Sequence, residues 1–71
     1  MSMTEKIRIV LVKRGNISEA ELARRLNTTP QNLNKKLIKG NLREEDLHKI
    51  AEVLDCKYEG RFIFNDTGEE I

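Results

Sequence analysis

The sequence predicts a mainly α domain of four short helices followed by a C-terminal β-hairpin, and three observations lead there. Ser18-Glu19-Ala20-Glu21 has the form of a capping box at a helix start. Thr29-Pro30 restarts a helix almost as soon as the preceding one ends. After Lys57 the chain turns aromatic and β-branched over residues 58–64. With 71 residues there is room for one small core, which buries about 60% of the surface an unfolded chain of this size exposes. Residues 1–57 are expected to form the helical domain and residues 58–71 the hairpin.

Each element has its own signals. Ser2 or Thr4 can cap a first helix that reaches Arg14, with Ile7, Val10 and Leu11 at helical spacing. Ile7, Ile9 and Leu11 also alternate as a strand would, and Gly15-Asn16 ends either element. In the second helix the Ser18 hydroxyl takes the Glu21 amide while the Glu21 carboxylate reaches back, and Ile17 and Leu22 form a hydrophobic staple. Leu22, Ala23 and Leu26 face inward, and the helix ends near Asn27, which tolerates the left-handed conformation of a tight turn. The third helix runs from Thr29-Pro30 to about Lys39, with Leu33 and Leu37 inward and Gly40 as its stop. Residues 41–44 offer a further cap, and Leu47, Ile50, Ala51 and Leu54 mark a fourth amphipathic helix. Asn65-Asp66-Thr67-Gly68 reads as the turn of the hairpin, with Glu69-Glu70-Ile71 beyond it.

Composition excludes several functions. Cys56 is the one cysteine and His48 the one histidine, so neither an intramolecular disulfide nor a structural zinc site can be assembled, and His48, in an acidic stretch, gives no arguable Ser-His-Asp set. No metal, cofactor, small-molecule ligand or enzymatic activity is expected. The longest apolar run, Ile9-Val10-Leu11-Val12, falls far short of the roughly 20 residues that span a bilayer. An unpaired cysteine without an export signal fits a reducing cytoplasm. The net charge is only +1, but ten basic and two acidic side chains lie in residues 6–43 against three basic and nine acidic ones in residues 44–71. That asymmetry suggests a phosphate-facing side.

Residues 18–40 carry the function. Two short helices joined by so tight a turn must cross steeply, as in a helix-turn-helix, with Ala23 at the crossing. Once Leu33 and Leu37 are buried, the third helix exposes Pro30, Gln31, Asn34, Lys35 and Lys39. Gln and Asn side chains can bond an adenine edge through two hydrogen bonds, Lys can donate to guanine, and a helix fits the major groove.

The run from Ile17 through Leu22-Ala23-Arg24-Arg25-Leu26 and Thr28-Thr29-Pro30-Gln31-Asn32 to Leu33 resembles the DNA-binding core of the Cro/repressor (XRE-like) family. Leu47, Ile50, Ala51 and Leu54 resemble that family's last core helix, so the resemblance covers about residues 3–57. It implies a repressor-like fold and a transcriptional regulator, repression favoured, that binds double-stranded DNA. It places Ser18 and Glu19 near phosphate, Thr29, Pro30, Gln31, Asn32, Asn34 and Lys35 along the major groove, and Lys39, Asn41 and Arg43 on the backbone again. Three positions depart from the family pattern: Glu19 stands where Gln is frequent, Asn27 replaces a turn glycine, and Lys36 occupies a commonly apolar position.

A homodimer is expected as well. Ile9 and Val12 lie off the inward stripe of the first helix, and Phe62 and Phe64 would give a lone hairpin an uncovered apolar face. Pairing across a two-fold axis would cover both and make the hairpin a dimerisation element. In the monomeric alternative the hairpin folds over its own first helix. The competing function is a protein-interaction module, such as an antitoxin-like binder whose acidic C-terminal half engages a basic partner.

Overall fold

In a computed structural model, which describes residues 2–71, the chain forms α1 (Met3–Lys13), α2 (Glu19–Arg25), α3 (Pro30–Lys39), α4 (Glu44–Val53), β1 (Cys56–Tyr58) and β2 (Phe62–Phe64). Helix wins over strand at the N-terminus because burial follows a period of 3.6: Ile7, Val10 and Leu11 are buried while Ile9 is only half-buried. Ser2 is the cap, its hydroxyl accepting from the Glu5 amide at 3.1 Å. Thr4 has another task, donating its Oγ1 hydrogen to the Leu37 carbonyl at 2.7 Å and so fastening the start of α1 to the end of α3.

The α2–turn–α3 unit follows its local signals. Ser18 Oγ accepts from the Glu21 amide at 3.0 Å and Thr29 Oγ1 from the Asn32 amide at 3.2 Å. Asn27 takes a left-handed φ of 57° in the turn, and the Thr28 amide closes back on the Ala23 carbonyl at 3.0 Å. Ala23 is fully buried at the crossing. The reciprocal half of the expected capping box is not formed. The Glu21 carboxylate turns instead to Arg24 and Arg25, because charge-assisted bonds to guanidinium outweigh one to a neutral amide. Gly40 ends α3 with φ 68°. The carboxylate of Asp46 then accepts from the Arg43 amide at 3.0 Å to start α4.

The C-terminal region is more elaborate than a hairpin turning at residues 65–68. The chain turns first at Glu59-Gly60-Arg61, so that β1 and β2 pair antiparallel with Tyr58 opposite Phe62. Gly60, at φ 72°, supplies the conformation that splits the apolar run in two. The expected second turn is also present: Phe62 and Ile71 exchange backbone hydrogen bonds, and Ile63 bridges to Glu70. Strand β2 therefore lies between β1 and the C-terminal tail.

The helices and strands share one core, in which Cys56, Phe62 and Phe64 join Ile7, Val10, Leu22, Leu37, Ile50 and Leu54. Strand β1 crosses the point between residues 57 and 58 where the sequence changes character. The apolar face of the hairpin is thus covered by its own chain, while Val12 on α1 stays 61% exposed. Arg14 ties the parts together. Its guanidinium donates to the Leu54 and Asp55 carbonyls, forks onto Asp66 at 2.9–3.0 Å, and lies 4.2 Å from the Phe64 ring centre.

Candidate nucleic-acid interface

Burial of Leu33 and Leu37 fixes the roll of α3. At 3.6 residues per turn the opposite face carries Gln31, Lys35 and Ile38, with Asn34 beside them. All four are exposed. Ile38 is the surprise, 71% exposed and the most open large apolar side chain of those described. Its place could have been read from the sequence, because it lies four residues beyond Asn34 and seven beyond Gln31.

Asn34 is held from behind. Its Nδ2 donates to Glu19 Oε1 at 3.3 Å, and the other carboxylate oxygen of Glu19 is 3.5 Å from Arg8 Nε. Arg8 also lines a shallow cleft with Thr4, Leu37, Ile38 and Lys39. It has no local sequence signal as a member of this surface; only the packing of α1 on the end of α3 brings it there.

The remaining expected positions divide between two sides. Ser18 and Thr29 have their hydroxyls engaged as caps at the helix starts, with Pro30 in the first turn of α3. Asn32 lies on the α4 side of α3, lining a cleft with Thr28, Lys36, Asp46 and Lys49, about 100° around the helix from Gln31. Asn41 and Arg43 border Lys36 and Glu45 on that same side. Gln31, Asn34 and Lys35 thus share the outer side of α3, and Asn32, Asn41 and Arg43 lie on the side of α4.

The charges sort in the same way. Lys36 pairs with Asp46 at 3.2 Å, and Arg24 and Arg25 pair with Glu21. The Glu21 carboxyl is lowered to about 2, chiefly by hydrogen bonds from Arg24 and then Arg25. Among the described residues, none of the ion pairs involves Lys35, Lys39 or Arg43. Lys35 and Lys39 lie on exposed positions of α3, while Arg43, at the start of α4, borders Glu45.

The family model of the Cro/C1-type HTH DNA-binding domain matches residues 6–60. The chain belongs to this family. The match takes in α2, the turn and α3, and runs through β1 into the first hairpin loop, leaving β2 and the tail outside it. No curated protein and no solved structure matches the chain. Gln31, Asn34, Lys35 and Lys39 lie exposed on the second helix of this helix-turn-helix. Among the described residues, no helix is long and apolar enough to cross a membrane.

Proposed function

We propose that the protein binds double-stranded DNA sequence-specifically, with α3 in the major groove, and regulates transcription by occupying its site. The observation that carries this reading is the exposure of Gln31, Asn34 and Lys35 together on the outer face of α3. Gln31 and Asn34 supply donor–acceptor pairs for base edges, and Lys35 a cation for guanine or phosphate. Lys39, Asn41 and Arg43 flank the groove-facing helix and hold phosphate, releasing counterions as they do so. Repression is the simplest regulatory outcome, since a protein seated on its site blocks other proteins from it.

The active form in this reading is a homodimer. Phe62 and Phe64 are already buried within the chain and contribute nothing to a partner surface. Apart from Ile38 on α3, the apolar remainder is Val12, half-buried Ile9 and half-buried Ile63, none of which packs into the core. Lys13 reaches Glu69 at 2.7 Å, which brings the last turn of α1 beside the tail that bridges to Ile63. A two-fold axis near this side sets two recognition helices about 34 Å apart, one helical turn of DNA. Sedimentation at tens of micromolar should give a dimer that Val12→Glu converts to monomer; a monomeric parent protein would remove the dimer from the account.

Salt dependence of binding tests the DNA-facing side. Lys39→Ala should weaken binding to all duplexes alike and reduce the salt slope by about one counterion, whereas Lys49→Ala, beside Asp46, should do neither. Equal effects of the two would mean that the wrong side has been assigned. No binding to bulk genomic DNA at low salt would reject DNA as the ligand.

A further inference from the structure

We infer that Ile38 is a specificity-determining residue that packs against the methyl group of a thymine in the major groove; the inference rests on the DNA-binding reading above. Three features of the surface carry it. Ile38 is 71% exposed on the same outer face of α3 as Gln31 and Lys35. It is the one apolar side chain on that face; it lines a cleft with Arg8, Lys39, Thr4 and Glu5, and Lys35 lies one turn before it on the same helix. The neighbouring Thr4–Leu37 hydrogen bond holds the end of α3 against α1, so the position is fixed rather than frayed.

A single exposed isoleucine usually needs no explanation. Its position here supplies one. A protein partner docks on a contiguous apolar patch, and the cations and amides around Ile38 do not form one. Positive charge is in excess there, with Lys35 and Lys39 unpaired and Arg8 on Glu19 beside the single further acid Glu5, and the major-groove edges of base pairs offer one apolar group to a side chain, the C5-methyl of thymine. The rise of about 1.5 Å per residue puts Ile38 about 10 Å along α3 from Gln31, which spans at most about three base-pair steps of 3.4 Å for a helix lying in the groove. The thymine therefore lies within about three pairs of the base read by Gln31, towards the end of the half-site contacted by the C-terminal part of α3.

The test is a cycle between Ile38→Ala and removal of the methyl alone. A preferred duplex is selected from random-sequence DNA with the full chain, and each of its thymines is replaced singly by deoxyuridine. One replacement, within the predicted span, should weaken binding of the parent protein about fourfold, the value of about 0.8 kcal/mol for one buried methyl at 1.4 kcal/mol per tenfold. That same replacement should leave the binding of Ile38→Ala unchanged. If every deoxyuridine duplex affects both proteins equally, or none affects either, the contact does not exist and only this inference falls. If selection enriches no sequence, the sequence-specific reading falls with it. A change in oligomeric state caused by Ile38→Ala, with no coupling to any methyl, would assign the side chain to an interface between copies and overturn the inference.

Discussion

Phe62 lies outside the part of the chain that matches the family, yet its side chain is fully buried among the helices. Replacing it by alanine removes a ring that also stacks at a tilt on Tyr58, 5.2 Å between centres. A buried Phe→Ala change costs about 3–5 kcal/mol, and a domain of this size has about 4–10 kcal/mol in total. Phe62→Ala should therefore remove most of the stability and lower Tm by more than about 10 °C, at about 4–8 °C per kcal/mol. The neighbouring Ile63, on the half-exposed face of β2, is the control: Ile63→Ala should cost well under half as much. Urea unfolding followed by the helical circular dichroism signal reads the outcome, because the probe reports α1–α4 and not the strands. A loss below about 1 kcal/mol in that helical transition would refute the reasoning. It would mean that the strands are an appendage and that residues 1–57 stand alone.

Arg14→Met keeps the aliphatic stem but removes the bonds to Leu54, Asp55 and Asp66, and should cost about 1–3 kcal/mol in urea unfolding. Acid should destabilise the protein through Asp46 and Asp66, whose carboxyls sit below their ordinary value of 3.8, the first chiefly through the Arg43 amide and the second chiefly through Arg14. Folded values below the unfolded ones give stability that is complete above the unfolded value and lost as pH falls through the folded one, so urea midpoints should drop only below about pH 5 and less steeply in Arg14→Met. Glu19→Gln retains an acceptor for Asn34 while removing a negative charge from the proposed DNA-facing surface. It should tighten binding to random duplex several-fold at low salt and lose that advantage at high salt, and unchanged affinity at low salt would place Glu19 away from phosphate.

The helices were legible because their ends are local chemistry. Ser18, Thr29-Pro30, Asn27 and Gly40 each act within four residues of where they stand, and each does what its type predicts. Glu21 departed from expectation because a carboxylate can choose among partners at similar sequence distance, and two guanidinium groups lay within reach. The strand region was read in outline only. Gly60 and Gly68 both adopt positive φ, and nothing local distinguishes a chain that turns at one from a chain that turns at both. What decides it is the core, which takes Cys56, Phe62 and Phe64 from one side of the paired strands. At the candidate interface, Gln31, Asn34 and Lys35 follow from helical periodicity alone, and Ile38 follows equally well once its exposure is considered functional. Arg8 does not, because its place depends on α1 meeting the end of α3, a contact between residues far apart in the chain.

The central claim is that the outer face of α3 reads bases. It is tested most directly by measuring the affinities of Gln31→Ala and Asn34→Ala for the selected duplex and for a random one of equal length at the same salt. The account predicts a loss of about 1–3 kcal/mol on the selected duplex for each variant, with the random duplex bound as before. Equal losses on both duplexes, or none on either, would contradict it.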